Sequence, residues 1–291
     1  MFEYKYEVSK PESKTKYGSV CIESIVFEPI EIERKLPEIV FEDENLKHMF
    51  AEVNLSPTKR KNIYKRFLPR SVIGLDINQF VEQNISTNRS FYSFLAEGIL
   101  SLVFRDMYDF DLARGVIDLG ETLSDSHTGV DACMYNLEHN VIVLGEAKFY
   151  ETLKSGMKKI IHDFTEGNIK NKLESLHARV ENNEDAYQIV IKNLTIDEYE
   201  ELTVNQFMNQ KIYFAGFVLH SESDISKYAN QDFYDEYIVS AQRLTENIRN
   251  SLKQNDIEGD YEIILVHLPI KSKKSLIVKM MEMSKDKLGY V

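Results

Sequence analysis

Three ionisable residues stand where they could hold a hard divalent cation. Asp131 lies in the run His127-Thr-Gly-Val-Asp131-Ala-Cys-Met-Tyr135, and Glu146-Ala147-Lys148 closes the apolar run that begins at Val141. Between them, Asn136-Leu-Glu-His-Asn140 reads as a turn joining two antiparallel strands. A turn centred between Glu138 and His139 places Asp131 directly opposite Glu146. Opposed residues project to the same face with Cβ atoms about 4.5 to 5.5 Å apart, so the two carboxylates repel. Side chains alternate with a period of two, which brings Lys148 to the same face as Glu146. Ile142, Leu144, Cys133 and Tyr135 make the rest of that face mostly apolar. Burying like charges side by side costs several kcal/mol unless a cation or a proton neutralises one of them. A cation with oxygen ligands and retained waters satisfies the pair best, which is the chemistry of Mg²⁺, with Mn²⁺ as a substitute. The competing reading is a salt-bridged polar end of a sheet.

A Glu-X-Lys tripeptide is by itself cheap, because Glu3-Tyr-Lys5, Glu12-Ser-Lys14 and Glu33-Arg-Lys35 also occur. Only the copy at Glu146 closes an apolar strand, has an aspartate at the mirrored hairpin position and follows a helix with a lone glutamate. That glutamate is Glu97, flanked one turn either way by Ser93 and Ser101, which leaves room for a neighbouring element beside it. It is either a site-facing acid or part of a column that faces solvent. His127, His139 and His162 suggest general bases, although turn and surface histidines are commoner.

The elements that must position these groups follow from hydrophobic spacing. A helix from Ser90 to about Met107 is apolar on most sides. Strands are predicted at Ala113 to Leu119, Gly129 to Tyr135 and Val141 to Phe149. A long amphipathic helix follows from Thr152 to Val180 with a break near Gly167. A strand at Ile212 to His220, a helix from Phe233 to Leu252, a strand at Tyr261 to Leu268 and a helix from Lys274 complete the order. An antiparallel hairpin inside a mixed sheet flanked by helices accounts for it, giving an α/β (α+β) fold class. Residues 1–82 read as an accessory region with a few strands and residues 83–291 as the main domain, with the polar stretch Glu82 to Asn88 at the boundary.

A chain of 291 residues with a net charge of −12 does not attract nucleic acid by its overall field, so any such contact is local. One local candidate is Lys59, Arg60, Lys61, Lys65, Arg66 and Arg70, a run without acids that is interleaved with Tyr64 and Phe67. It reads equally as a phosphate-binding patch, a solvated basic face or a docking surface for an acidic partner. Cys21 and Cys133 match no zinc spacing or disulfide framework, and no apolar run is long enough to span a bilayer, so a cytoplasmic location is expected.

The order of elements resembles the PD-(D/E)XK nuclease core, with Asp131 as its motif aspartate, Glu146-Ala147-Lys148 as its E-X-K element and Glu97 as its frequent helix glutamate. Gly129-Val130 stands where that pattern often has proline. More narrowly, Phe94-Leu-Ala-Glu-Gly98, Gly129-Val-Asp131 and Leu144-Gly-Glu-Ala-Lys-Phe149 resemble the HamA family, the nuclease partners of HamB helicases in Hachiman antiphage defence, and the related AbpA proteins. The likeness is clearest from Ser90 to about Asp163. It implies a Mg²⁺-dependent DNA nuclease with little sequence preference, governed by a superfamily 2 helicase. In that scheme Asp131, Glu146, the Ala147 carbonyl and Glu97 are metal ligands, and Lys148 positions water or stabilises the transition state. Lys154, Lys158 and Lys159 would track the DNA backbone, unless they form a solvated helix face. The alternative is a catalytically silent adaptor or DNA clamp in a helicase complex. A phosphatase acting on small nucleotides is disfavoured because the chain has no glycine-rich phosphate loop.

Overall fold

The computed structural model describes residues 7–9, 20–26, 29–68, 72, 76–87, 91–117, 130–164, 166–194, 202–229, 232–253 and 261–290. Among them, seven strands are β1 (Glu7–Ser9), β2 (Val20–Val26), β3 (Asp111–Leu112), β4 (Ala132–Asn136), β5 (Val141–Tyr150), β6 (Ile212–Ser221) and β7 (Tyr261–Ile270). They form one mixed sheet in the order β1-β2-β7-β6-β5-β4-β3. Strands β2, β7, β6 and β5 run parallel, whereas β4 returns antiparallel to β5 and β3 to β4. The expected hairpin inside a mixed α/β sheet is therefore present.

Helices cover both faces of the sheet. They are α1 (Pro29–Val40), α2 (Asp43–Phe50), α3 (Pro57–Phe67), α4 (Ile77–Thr87), α5 (Ser93–Tyr108), α6 (Leu153–Asp163), α7 (Glu166–Glu181), α8 (Glu184–Leu194), α9 (Val204–Met208), α10 (Asp232–Lys253) and α11 (Lys273–Leu288). The period of two along β5 divides its side chains between two cores. Val143, Ala147 and Phe149 join α1, α2, α3, α5 and α11, while Ile142 and Leu144 join α6, α7 and α8. Every residue of α5 from Phe94 to Phe104 is buried, so this helix is apolar all round because it is enclosed.

Glycines bring two helices close to the sheet. A Cβ at Gly145 would lie 2.8 Å from Cβ of Ala132 and 3.2 Å from Cδ2 of Leu100, so its absence lets α5 settle on the hairpin. A Cβ at Gly156 of α6 would lie 2.4 Å from Cγ1 of Val218, which sets the approach of α6 to β6 in the same way.

Three expectations need correction. The N-terminal region, expected to hold a few strands, is largely helical after β2: Pro29–Val40 forms α1, and the polar stretch from Glu82 belongs to α4. The two sides of the boundary expected at residue 82 share one sheet and one core, because β2 pairs with β7 and residues of α1, α2 and α3 pack with those of α5 and α11. The strand expected at Ala113 to Leu119 is not formed among its described residues, and the short β3 lies just before it. The Ala113 N–H still donates to Cys133, but the N–H groups of Val116 and Ile117 turn to the Met49 carbonyl, so the chain leaves the sheet for α2; residues 118–119 lie outside the described residues. The break expected near Gly167 falls between Phe164 and Glu166, where α6 gives way to α7.

Candidate metal centre

The hairpin turn sets the site. The Asn136 side chain accepts from the His139 N–H at 2.7 Å and donates to the Asp109 carbonyl at 2.9 Å, which ties the turn to the end of α5. Asn140 adopts the left-handed conformation (φ 50°) that asparagine tolerates better than most residues. The resulting register pairs Asn136 with Val141 and Ala132 with Gly145, and one step further places Asp131 against Glu146. Just before the first residue of β4, the carboxylate of Asp131 takes the place of the next ladder carbonyl and accepts the Ala147 N–H at 2.8 Å.

Both acids face α6 and α7 and meet at Lys148. Its Nζ lies 3.3 Å from Oε2 of Glu146 and 3.7 Å from Oδ2 of Asp131. A third acid, Asp163 in the last turn of α6, contacts the same ammonium at 3.1 Å and is paired in turn with Lys159. From α7, Lys172 pairs with Oε1 of Glu146. Two turns further on, Arg179 is close enough to feel the charges of Asp131 and Glu146. Sequence reasoning missed Asp163, Lys172 and Arg179. The one available signal was that Lys172 and Arg179, seven residues apart, border the buried stripe Leu173, Leu176 and Val180.

Glu146 is 1% exposed. Its neighbour across the parallel ladder is Gly216, and the space above that glycine is filled by Ile160 and Leu265. Burial first, and the charge of Asp131 second, push the Glu146 carboxyl above the usual carboxylate range against the pull of Lys148 and Lys172. Burial works against the Lys148 ammonium as well, but Asp131, Glu146 and Asp163 together hold its pKa above that of an ordinary lysine. For Asp163, burial is outweighed by Lys148 and Lys159, and its pKa falls. The three acids thus favour the charged form of Lys148, whereas burial outweighs the two lysines beside Glu146 and disfavours its charged form.

A hard divalent cation fits this donor set. Two carboxylates share one face, only oxygen donors are offered, and the strain at Glu146 is what a neighbouring cation relieves. Among the described residues, no group of three or more His, Cys, Asp or Glu is arranged to hold a metal ion. The residues that would hold such an ion are Asp131 and Glu146, with a backbone carbonyl such as that of Ala147.

The other residues singled out from sequence separate into distinct places. Glu97 is buried, which excludes the solvent-facing reading of its column, but α5 lies on the face opposite the Glu146 and Lys148 side chains. Lys154 and Lys158 are exposed on α6, whereas Lys159 is tied to Asp163. In α3, Lys59 pairs with Glu52 and Arg60 with Asp43, Lys61 is exposed, and Lys65 is half-buried. Arg66 is buried with its guanidinium 4.4 Å from the Phe94 ring centroid, so it is no part of a surface patch. Tyr64 and Phe67 pack edge-on against Phe41 inside the core rather than offering stacking platforms. Arg70 and His127 lie outside the described residues. His139 is exposed in the hairpin turn and His162 on α6. Cys133 is a buried thiol that burial pushes up to about 12.

Fold and site together define an α/β protein with a carboxylate and lysine centre built on a β-hairpin of a mixed sheet. The chain belongs to the HamA family, whose model matches residues 32–283, and is thereby an antiphage defence protein of the Hachiman type. No curated protein and no solved structure matches it. No helix among the described residues is long and apolar enough to cross a membrane.

Proposed function

We propose that this chain is a Mg²⁺-dependent deoxyribonuclease of the PD-(D/E)XK type, the cytoplasmic effector of a Hachiman complex controlled by a HamB-like helicase. The observation that carries this reading is the convergence of Asp131 and Glu146 on the Lys148 ammonium, at 3.7 and 3.3 Å, on one half-buried face. Mn²⁺ is expected to substitute for Mg²⁺.

Asp131 and Glu146 would hold the ion with the Ala147 carbonyl. When bound, the ion lowers the pKa of a coordinated water and offsets charge on the scissile phosphate. Lys148, kept charged by three acids, would orient the attacking water and steady the negative charge that builds on the phosphorus oxygens. The Asp131 carboxylate is fixed by the Ala147 N–H, and Asp163 fixes Lys148, so these two groups are already held in place. Lys154 and Lys158 on the outer face of α6 supply positive charge next to the site for the DNA backbone. With a net charge of −12, the chain gains from a helicase that delivers the strand.

The test is cleavage of plasmid and linear DNA by the purified protein, with and without its helicase, in Mg²⁺, Mn²⁺ or chelator. The proposal expects metal-dependent cleavage that Glu146→Ala and Lys148→Ala each abolish. Cleavage unchanged by both substitutions would point to a contaminant or another site, and no cleavage in any condition would leave an adaptor subunit as the better reading.

A further inference from the structure

Both oxygens of Glu146 carry an ammonium group. Oε2 faces Lys148 at 3.3 Å, and Oε1 is taken by Lys172. A carboxylate covered in this way admits a divalent ion only if one lysine withdraws. Lys148 is held from three sides by Asp131, Glu146 and Asp163. Lys172 comes from α7, a helix outside the hairpin, on a flexible four-carbon stem, and its side chain is 13% exposed. Beyond it on the same helix, Arg179 adds a second positive charge that interacts with the two acids.

We infer that Lys172 is a displaceable counter-ion: its ammonium occupies the cation position at Glu146 until a divalent ion takes that position, and it then turns to a phosphate oxygen on the α7 side of the site. The inference rests on the metal-dependent reading above and adds to it a residue of opposite effects on two ligands. Lys172 competes with the metal and recruits the phosphate. Random damage to the site weakens both, so the signs of the two effects identify this role.

The experiment compares the full chain with Lys172→Met, Lys172→Arg and Glu146→Gln. Free Mn²⁺ is followed by electron paramagnetic resonance, and binding of a fluorescent DNA duplex is followed by anisotropy in Ca²⁺. Lys172→Met is expected to tighten Mn²⁺ binding by about five- to fifty-fold, the span of ordinary coupling between competing ligands, and to weaken DNA binding several-fold. Lys172→Arg, which keeps the charge, is expected to stay near the wild type in both. Circular dichroism checks folding, and Lys172→Gln makes the same comparison if the methionine variant does not fold. Mn²⁺ affinity unchanged or weakened in the neutral variant overturns the inference. If that happens while Glu146→Gln abolishes Mn²⁺ binding, only the role of Lys172 fails; if the wild type binds no Mn²⁺ that Glu146→Gln loses, the metal-dependent reading fails with it.

Discussion

Replacing Lys148 with methionine removes one ammonium from three carboxylates while keeping most of the side-chain volume. The side chains involved are nearly enclosed, with exposures of 16% for Lys148, 1% for Glu146, 12% for Asp131 and 13% for Asp163. Removing one partner of a buried ion pair costs about 3–5 kcal/mol, because the other charge is left without compensation. Lys159, whose side chain is 44% exposed, contacts Oδ1 of Asp163, the oxygen that Lys148 does not take. Its replacement falls in the surface class, about 0–1 kcal/mol. A change of 1 kcal/mol moves the melting temperature by about 2–4 °C in chains approaching this size. Lys148→Met should therefore melt roughly 10 °C below the wild type in chelator, and Lys159→Met no more than a few degrees below. Adding Asp163→Asn to Lys148→Met removes one uncompensated acid and should recover part of the loss, with a coupling of about 0.5–3 kcal/mol. Urea unfolding and calorimetry of the wild type, Lys148→Met, Lys159→Met, Asp163→Asn and the double variant supply the numbers. Equal small losses for Lys148→Met and Lys159→Met, or no recovery in the double variant, would refute the electrostatic reasoning.

Acid should weaken the fold through its buried histidines. Burial is the main cause lowering His220 to about 4, and burial with the charges of His220 and Lys227 carries His267 well below the ordinary range. Both are neutral when folded, so the unfolded chain takes up protons below pH 6.5. The stability they confer is present above that pH and is lost as pH falls toward 4. His220 alone accounts for about 3 kcal/mol of that loss; urea midpoints that do not fall between pH 7 and pH 4.5 would contradict the argument. Gly156→Val sets new methyl groups against Val218 and should destabilise by about 1–3 kcal/mol, read by the same unfolding curves. A variant as stable as the wild type would show that α6 sits farther from β6.

The hairpin was legible in sequence because its geometry is local. A four-residue turn fixes the pairing, and the period of two fixes the faces, so the positions of Asp131, Glu146 and Lys148 followed from counting. The acids and bases that complete the centre come from α6 and α7. Their contacts depend on where the helix breaks after Phe164 and how α7 turns back over β4 and β5, which no local pattern encodes. Glu97 shows the same limit: its burial could be suspected from an apolar helix, but which face of the sheet that helix covers is a property of the assembled fold. The basic run of α3 misled for a simpler reason. At 3.6 residues per turn, Tyr64, Phe67 and Arg66 turn inward while Lys59 and Lys61 remain outside, so a run that looks like one patch divides between core and surface. In the N-terminal region the strands were anticipated and the helices that follow them were not. Pro29 and Pro57 open two of those helices at first-turn positions, where their lack of an N–H costs nothing.

The most direct measurement is anomalous scattering from crystals of the wild-type chain soaked in Mn²⁺. The account predicts one strong peak bounded by the carboxylates of Asp131 and Glu146, within about 2.3 Å of an oxygen from each, and its loss in Glu146→Gln. Crystals that show no peak there at millimolar Mn²⁺, with Lys148 and Lys172 still clasping Glu146, would contradict it.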